Sequence, residues 1–378
     1  MADIDIEGLA LRLGMGAHNR MPGEQHLQLE AITAQTIFAS LRRVGFRRGA
    51  DADEGAKGLL EALRQGFVGQ ILVGEQRVAT VVAPVPEKAN EQHYELPSEF
   101  FTAVLGTRRK YSCCYFADDA TTLDQAEEAA LTITCERAQI ADGQDILELG
   151  CGWGSLSLWI AERYPTSRIT AVSNSAPQRR FIEATAAERG LSNLRIITAD
   201  MNDFTIETCF DRVVSVEMFE HMRNYERLLQ RIAGWLRPNG KLFVHLFCHS
   251  QYAYPFETEG DANWMGRYFF TGGIMPSENL LRRFNRHMLV TGHWSWNGQH
   301  YQRTSEAWLV NLDARRQEVL RILEAAYGKA NARVWLNRWR MFFLAVAELF
   351  GYSNGSEWFV SHNLLEPVVG SSVPVSSR

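Results

Sequence analysis

The sequence lacks the features of several large classes of protein. It has six cysteines in 378 residues and no Cys-x-x-Cys pair, so neither a disulfide framework nor a structural zinc site has support. Its longest apolar stretch, residues 341–350, contains Glu348 and is too short to span a bilayer. Residues 1–7 are acidic and do not resemble a secretion signal. We therefore expect a cytoplasmic protein with reduced thiols and no stable membrane insertion.

The sequence also has no long run of charge of either sign. Its formal net charge is −5, from 44 acidic and 39 basic residues. Non-specific binding of nucleic acid depends on a basic field, so no nucleic-acid partner is expected. Hydrophobic content of 46% and charged content of 22% are typical of a globular protein. The length permits one large domain or two smaller ones.

Hydrophobic periodicity divides the chain at about residue 110. Residues 1–110 show mainly helical spacing and are predicted to form an N-terminal extension, with a connector at 82–91. From there, strands and helices alternate through the predicted core, 111–378, as in a parallel sheet covered on both faces. The strands are predicted at 145–149, 168–173, 194–198, 212–216, 241–247, 288–296 and 358–365. An aromatic insertion at about 250–285 is predicted to cover a site, and a helical segment spans about 305–350.

The first predicted strand runs into a Gly150-x-Gly152-x-Gly154 loop and then a helix. Glycines let the backbone turn sharply and approach a ligand, and a helix N-terminus offers amides to an anionic group. The spacing is not the G-x-G-x-x-G of a dinucleotide site, and the second strand ends without the acidic residue that such sites use. The loop therefore favours S-adenosylmethionine (SAM). A tight turn without a ligand is the alternative.

Polar side chains after the second and third strands fit the same cofactor. Asn174 and Gln178 are predicted to bond ribose hydroxyls. Asp200 is predicted to accept from the adenine amino group, and Met201 to pack against the ring. Glu148 either orders the glycine loop or faces the helix dipole. No metal is predicted.

The fourth predicted strand ends in a motif at 216–222 that carries both acid and base. Methyl transfer needs a nucleophile held in line, a dry site and an acceptor for a proton. An alkyl ammonium has a pKa near that of Lys, roughly 10.4, and must lose its proton before it attacks. His221 is the predicted base because its pKa lies near neutral, and Glu220 orients the imidazole or holds the ammonium. Capping of the next helix is the alternative role for both residues.

Aromatic residues are frequent after the fifth strand. An aromatic wall suits an aromatic or cationic substrate through stacking and cation–π contact. Ordinary core packing is the alternative for most of these side chains. The aromatic residues predicted to bind substrate are Trp264, Phe270, Tyr301, Trp339 and Phe342.

Six segments of the chain resemble the coclaurine N-methyltransferase group of the cyclopropane-fatty-acyl-phospholipid synthase-like superfamily. They are residues 111–116, 148–154, 216–222, 243–249, 267–273 and 345–352. The resemblance implies an α/β class I SAM-dependent methyltransferase with a Rossmann-like sheet of seven strands, six parallel and one antiparallel, with helices on both faces. It also implies a homodimer, a cofactor site that includes Tyr111 and Ser112, and a catalytic role for Glu220 and His221.

The cyclopropane branch of the superfamily supplies the alternative of lipid methylation with a bound bicarbonate. The resemblance implies a bicarbonate site at Cys113, Glu220, His245, Phe247 and Tyr301, and four of these residue types are compatible with it. Against this branch, the motif at the fourth strand and the aromatic insertion match the N-methyltransferases in detail. The chain also has no obvious basic amphipathic surface for anionic lipid.

The sequence therefore predicts a SAM-dependent N-methyltransferase of a small aromatic or heterocyclic, alkaloid-like amine. Four further residues are expected to contact that amine: Cys113, Glu217, His245 and Phe247. Lipid methylation is the first alternative, and a SAM-binding regulatory protein with an inert site is the second.

Overall fold

The computed structural model describes residues 82–83, 96–259 and 263–368. The helical extension predicted for residues 1–110 lies outside the described residues up to position 95, apart from residues 82–83. Helices α1 (Ser98–Val104) and α2 (Leu123–Arg137) precede the sheet. Thr122 begins α2 with a capping box, in which its hydroxyl accepts from the Gln125 N–H and the Gln125 side chain accepts from the Thr122 N–H.

The described residues contain nine strands, seven of which form one sheet. In chain order the strands are β1 (Asp145–Leu149), β2 (Arg168–Ser173), β3 (Leu194–Thr198), β4 (Phe210–Val216), β5 (Leu236–His249), β6 (Tyr254–Pro255), β7 (Ile274–Met275), β8 (Met288–Trp296) and β9 (Trp358–Pro367). The sheet has the order β3-β2-β1-β4-β5-β9-β8, and β6 pairs with β7 separately. Strands β1 to β5 pair in parallel, and β9 is antiparallel to both of its neighbours. Six strands therefore run one way and one runs against them, which confirms the predicted fold.

Helices cover both faces of the sheet. They are α3 (Ser155–Arg163), α4 (Ala176–Glu188), α5 (Tyr225–Trp235), α6 (Trp264–Tyr268), α7 (Gln299–Ala314), α8 (Arg316–Tyr327) and α9 (Ala332–Gly351). Successive residues of a strand point to opposite faces, so Leu147 joins the apolar cluster that contains α5, and Ile146 joins the one that contains α3. All five residues of β1 are buried, as expected of a central parallel strand. None of the helices in the described ranges has the length and apolar character needed to span a bilayer.

The predicted strand positions agree with the structure, and the largest difference lies in β5. This strand begins at Leu236, before the predicted start at 241, and Leu236 pairs with Phe210 of β4. Asn239 takes a positive φ of 66°, and the chain turns there within an irregularity of the continuing β4–β5 pair. The long helical segment also divides into α7, α8 and α9, because Arg315 and Gly328 depart from helical backbone angles.

Candidate active site

The glycine loop connects the carboxyl end of β1 to the start of α3. Gly150 has a φ of 79°, and a Cβ at this position would lie 2.7 Å from the Met218 side chain. Gly152 also has a positive φ, of 52°, but a Cβ there would meet nothing within 4 Å, so its backbone borders open space. The loop thus combines a close internal packing contact with an exposed backbone edge that a ligand can approach.

A large cavity lies against this loop and is called the cofactor cavity below. It encloses about 1240 Å³ including its mouth, and it is bordered by the ends of β1 to β4. This is the edge at which parallel α/β sheets bind ligands. All the predicted cofactor residues except Gly154 line it: Tyr111, Ser112, Glu148, Gly150, Gly152, Asn174, Gln178, Asp200 and Met201. Gly154 begins α3 instead and faces Ile182.

Two buried polar atoms at the cofactor cavity fit a polar ligand. The Gln178 side chain accepts from Ser173 Oγ at 2.6 Å through its oxygen, while its Nε2 is buried and has no hydrogen-bond partner among the described residues. Ser155 Oγ, at the first turn of α3, is also buried and has no hydrogen-bond partner among the described residues. Buried donors that lack partners are costly, so a ligand that accepts from them is expected here.

Glu148 lies under the loop with its carboxyl group buried. Its Oε2 accepts a short hydrogen bond from Ser157 Oγ of α3, which ties the end of β1 to that helix. Burial raises the pKa of Glu148 to about 7. Of the two predicted roles, this geometry corresponds to ordering the loop.

Residues 82 and 83, which the sequence pattern placed in a connector, close one side of the cofactor cavity. Asn202 Oδ1 accepts from the backbone N–H groups of Val82 and Ala83, each at 2.9 Å. Asn202 Nδ2 returns a hydrogen bond to the Ala83 carbonyl at 2.8 Å. Ala83 lines the cavity beside Asp200 and Met201. The sequence analysis did not predict this contact of residues 82 and 83 with Asn202, for which the polar side chain of Asn202 is the sequence signal.

A second, mainly apolar cavity adjoins the first and is called the substrate cavity below. It encloses about 710 Å³. Of the residues predicted to bind substrate, five line it: Glu217, Phe247, Phe270, Tyr301 and Phe342. The insertion contributes Phe256, Met265, Phe270 and Met275 to this cavity, and Thr271 and Gly272 to the cofactor cavity.

Four residues predicted to bind substrate lie behind the cavity wall. Trp264 and Trp339 are buried, and both pack against Phe269 rather than line the cavity. Cys113 and His245 are fully buried and hydrogen-bond to Glu217. The sequence pattern identified these side chains near the site, but it did not separate the wall from the residues that support it.

The two cavities meet at three polar residues, Tyr111, Glu217 and His221, each of which lines both. Glu217 directly follows β4, and His221 ends a short 3-10 turn, Phe219–His221. The placement follows from local structure, because the carboxyl end of β4 points into the crevice and the turn brings His221 back to it.

Glu217 is held in place by polar contacts with three separate elements. Its Oε1 accepts from the Cys113 N–H at 2.9 Å and faces His245 Nε2 at 3.2 Å, and its Oε2 accepts from the Tyr301 hydroxyl at 2.7 Å. Its backbone has a φ of 48°, which is uncommon for a residue with a side chain. Burial raises the pKa of Glu217, while the nearby Lys110 ammonium and the bonds from Cys113 and Tyr301 oppose the rise.

His221 presents a neutral imidazole to both cavities. Burial lowers the pKa of His221 to about 4, although the Glu217 carboxylate opposes this change. Its ring lies parallel to Phe270 of the insertion, with the ring centroids 6.4 Å apart. At neutral pH the imidazole is therefore uncharged, and burial makes it a weaker base than a histidine in water.

Glu220, the other half of the predicted catalytic pair, is fully buried and lines neither cavity. Its Oε1 accepts from the Phe247 N–H at 2.8 Å, which joins the 3-10 turn to β5. Burial raises the pKa of Glu220 well above its ordinary value, and the charge of Glu217 adds to that rise. The short turn explains the separation, since it directs Glu220 inward and His221 toward the cavities.

The loop before α2 adds two cations to the site that the sequence pattern did not single out. Lys110 is buried, and its Nζ donates to Ser112 Oγ at 2.6 Å and to the Cys113 carbonyl at 2.7 Å. Arg109 lies over the Phe181 ring at 4.4 Å and lines the cofactor cavity. The described residues contain no group of three or more His, Cys, Asp or Glu placed to hold a metal ion.

Several known proteins are similar to this chain in sequence. The mycolic acid cyclopropane synthetase family matches residues 85–354. The chain is 42% identical over 296 residues to (S)-coclaurine N-methyltransferase of Thalictrum flavum subsp. glaucum, which covers 77% of this chain and 81% of that one. It is 31% identical over 234 residues to cyclopropane-fatty-acyl-phospholipid synthase of Escherichia coli (strain K12), which covers 61% and 57% of the two chains.

A solved structure of coclaurine N-methyltransferase bound to N-methylheliamine and SAH (S-adenosylhomocysteine) is also similar. It superposes with a TM-score of 0.76 at 35% sequence identity, and the match covers 96% of this chain and 100% of that one.

Proposed function

The chain belongs to the mycolic acid cyclopropane synthetase family, in the branch of the coclaurine N-methyltransferases, and is a SAM-dependent methyltransferase; we propose that it methylates the nitrogen of a small aromatic or heterocyclic amine. One observation carries the proposal. A carboxylate and a neutral imidazole, Glu217 and His221, lie where the cofactor cavity meets the aromatic substrate cavity.

The residues of the cofactor cavity fit SAM. Gln178 Nε2 offers a buried amide donor, Asp200 and Met201 lie where an adenine is expected, and the Gly152 backbone is open to a ligand. When bound, SAM supplies a methyl group on a sulfonium sulfur, which is open to attack by a neutral amine.

The residues at the junction handle the substrate's charge and proton. The Glu217 carboxylate, fixed by its three donors, attracts an ammonium into an otherwise apolar cavity. Burial disfavours the charged form of the amine and so promotes the loss of its proton, while the Glu217 carboxylate favours the ammonium until that proton leaves. The neutral imidazole of His221 lines the same junction and receives the proton that the ammonium loses, aided by the Glu217 carboxylate, which raises the pKa of His221 against the effect of burial. Glu220 acts from behind, where its bond to the Phe247 N–H positions the turn that carries His221.

The arrangement around Glu217 favours the amine over the lipid alternative. The bicarbonate reading needs Cys113, His245 and Tyr301 to hold an external anion. All three already hydrogen-bond to the Glu217 carboxylate. The Glu217 carboxylate therefore occupies the position of the anion, and Cys113, His245 and Tyr301 are not available to bind bicarbonate.

The shape of the substrate cavity supports a ring-containing substrate. Its lining is mainly apolar and aromatic with a few polar groups, as is usual for small-molecule sites. Phe247, Phe256, Phe270 and Phe342 provide aromatic faces for a ring or a cation. The similar solved enzyme holds N-methylheliamine with SAH, which agrees with this class of ligand.

The test is methyl transfer from labelled SAM to two sets of acceptors. One set is a panel of primary and secondary benzylic and isoquinoline amines, and the other is phospholipid vesicles with unsaturated chains, with and without bicarbonate. We expect label in the amines and, by mass spectrometry, on nitrogen. Label in lipid alone, or in neither set while SAM still binds, would overturn the proposal.

We also propose a cytoplasmic location and a homodimer. All six cysteines are free, which agrees with a cytoplasmic location. The family resemblance supports a homodimer. Cell fractionation and light scattering of the purified protein test these two statements.

A further inference from the structure

A chain of three hydrogen bonds leads from Glu217 away from both cavities. His245 Nε2 lies 3.2 Å from Glu217 Oε1, and His245 Nδ1 lies 2.9 Å from His362 Nε2. His362 Nδ1 in turn lies 2.8 Å from Nη1 of Arg137. The two histidines are directly opposite each other on β5 and β9, and both are fully buried. Arg137 is half-buried in the last turn of α2.

The chemistry of the end groups fixes the direction of every bond in this chain. A guanidinium can only donate, so His362 Nδ1 accepts and neutral His362 carries its proton on Nε2. That proton is donated to His245 Nδ1, so neutral His245 also carries its proton on Nε2. His245 then donates to the Glu217 carboxylate, which can only accept.

The surroundings keep both rings neutral. Burial lowers the pKa of His245 and of His362 well below the ordinary value, and the positive charges of Arg137 and Lys110 lower both further. Trp296 contacts both rings, with centroids 5.4 Å from His245 and 4.3 Å from His362. An extra proton on either ring would place two donors face to face.

We propose that Arg137 is a positioning residue for amine methylation. Its guanidinium sets His362 and His245 in the Nε2–H tautomer. In that tautomer His245 donates to Glu217 and keeps the Glu217 carboxylate ionised and oriented. The inference rests on the proposed function for its kinetic consequence, and on geometry alone for the tautomers. Arg137 thus orients Glu217 through two intermediate residues, His362 and His245.

Other charged and titratable groups face this chain and set the background for its titration. Those around Glu217 are Lys110, Cys113, Glu220, His221 and Tyr301. His293 and Lys110 act on His362, and Glu136 and Tyr115 act on Arg137. Removal of Arg137 leaves all of them in place, so the change that it causes is separable from theirs.

The first test needs no substrate. Nitrogen-15 NMR of the wild-type protein with labelled histidine reports which ring nitrogen of each histidine carries the proton, and the signals lost in His362→Gln and in His245→Gln assign the two rings. We expect both rings to be neutral Nε2–H tautomers from pH 6 to 9. An Nδ1–H tautomer or a charged ring at either position overturns the inference, even if no amine is ever methylated.

The second test is the pH profile of kcat/KM for the amine in Arg137→Met, Arg137→Lys and wild type. Arg137→Met removes the donors but keeps an apolar stem over the Trp294 ring. Weakening one bond to the carboxylate raises the pKa of Glu217, so we expect the acidic limb to move up by about one pH unit, with kcat/KM about tenfold lower on that limb. Arg137→Lys keeps a donor and should restore most of the wild-type profile.

The matched control is Arg163→Met. Arg163 also lies in the last turn of a helix and over a tryptophan ring, that of Trp159 at 3.5 Å. Neither residue belongs to the hydrogen-bond chain that leads to Glu217. The control should keep the wild-type profile, and SAH binding by calorimetry should be unchanged in all variants that fold. An Arg137→Met profile that superposes on wild type overturns the positioning role.

If Arg137→Met does not fold, the pair His362→Leu and His362→Gln replaces it. Leu offers no donor to His245 Nδ1, so we expect the shift described for Arg137→Met, while Gln keeps both a donor and an acceptor and should keep the wild-type profile. A wild-type profile in His362→Leu, or equal shifts in both variants, overturns the inference.

Discussion

Substitution of Glu217 by Gln removes one negative charge from the junction of the two cavities and nearly preserves the side-chain volume. The Gln carbonyl oxygen can take the place of Glu217 Oε1 and accept from the Cys113 N–H and His245 Nε2. The Gln amide can then donate to the Tyr301 hydroxyl oxygen, which lies 2.7 Å from Glu217 Oε2. The variant therefore keeps a hydrogen-bond partner for each of these groups and loses the negative charge that attracts an ammonium.

The expected size of this effect follows from the burial of the carboxylate. A hydrogen bond to a charged group contributes about 1.5–3 kcal/mol, and the upper part of that range applies because Glu217 is shielded from water. A loss of about 3 kcal/mol lowers kcat/KM for the amine by about 100-fold. Tyr301→Phe keeps the charge and removes one donor, so we expect a loss of about tenfold.

The assay is the initial rate against amine concentration at saturating SAM, with SAM affinity measured separately by calorimetry. Most of the Glu217→Gln effect should appear with amines that are charged at the assay pH, while SAM affinity stays within about twofold of wild type. A kcat/KM for Glu217→Gln within about twofold of wild type would refute the assignment of Glu217 as the group that receives the ammonium.

Three further outcomes are expected. His221→Asn should lower kcat by about 100-fold with SAH binding retained, because the proton acceptor is gone; single-turnover rates test this, and an unchanged rate removes His221 from the mechanism. Gln178→Ala should weaken SAM about tenfold in calorimetry and leave the KM for the amine unchanged, since Gln178 lines only the cofactor cavity; equal effects on both would contradict that separation. Burial raises the pKa of Glu148 to about 7 from 4.5, so the folded protein binds this proton more tightly than the unfolded chain, and stability falls as pH rises through that window. The free energy of unfolding of wild type minus that of Glu148→Gln should therefore fall by about 3 kcal/mol between pH 4.5 and 8, and a difference that is flat with pH would show that Glu148 does not titrate there.

The sequence patterns predicted the sheet and the cofactor loop well, because both depend on local signals. Buried apolar runs between turn residues located the strands, and β1, β2, β3 and β8 have the predicted bounds. The glycine spacing and the missing acid after β2 favoured SAM over a dinucleotide. The family inferred from six short segments is confirmed by relatives such as the 42% identical coclaurine enzyme.

The organisation of the reaction site was predicted less completely, because it depends on which way each side chain points. The motif after β4 contains Glu217, Glu220 and His221, and the sequence argument paired the last two. The 3-10 turn separates them, so that His221 faces the cavities and Glu220 lies behind, while Glu217 takes the place at the junction. Three donors from distant segments identify Glu217, and no local pattern contains them.

The groups that support Glu217 were the least predictable. Arg137 and His362 are 225 positions apart, and only the pairing of β9 with β5 brings His362 beside His245. The same holds for Val82 and Ala83, which reach the cofactor cavity through Asn202 across about 120 positions. Long-range contacts of this kind follow from the assembled sheet rather than from any periodicity in the sequence.

The most direct test of the central claim is a crystal structure of the protein with S-adenosylhomocysteine and a secondary isoquinoline amine. We predict that the cofactor product lies against the glycine loop and that the amine nitrogen lies about 3 Å from Glu217 or His221, with its rings between Phe247, Phe270 and Phe342. An amine bound outside the substrate cavity, or with its nitrogen turned away from both Glu217 and His221, would contradict the account.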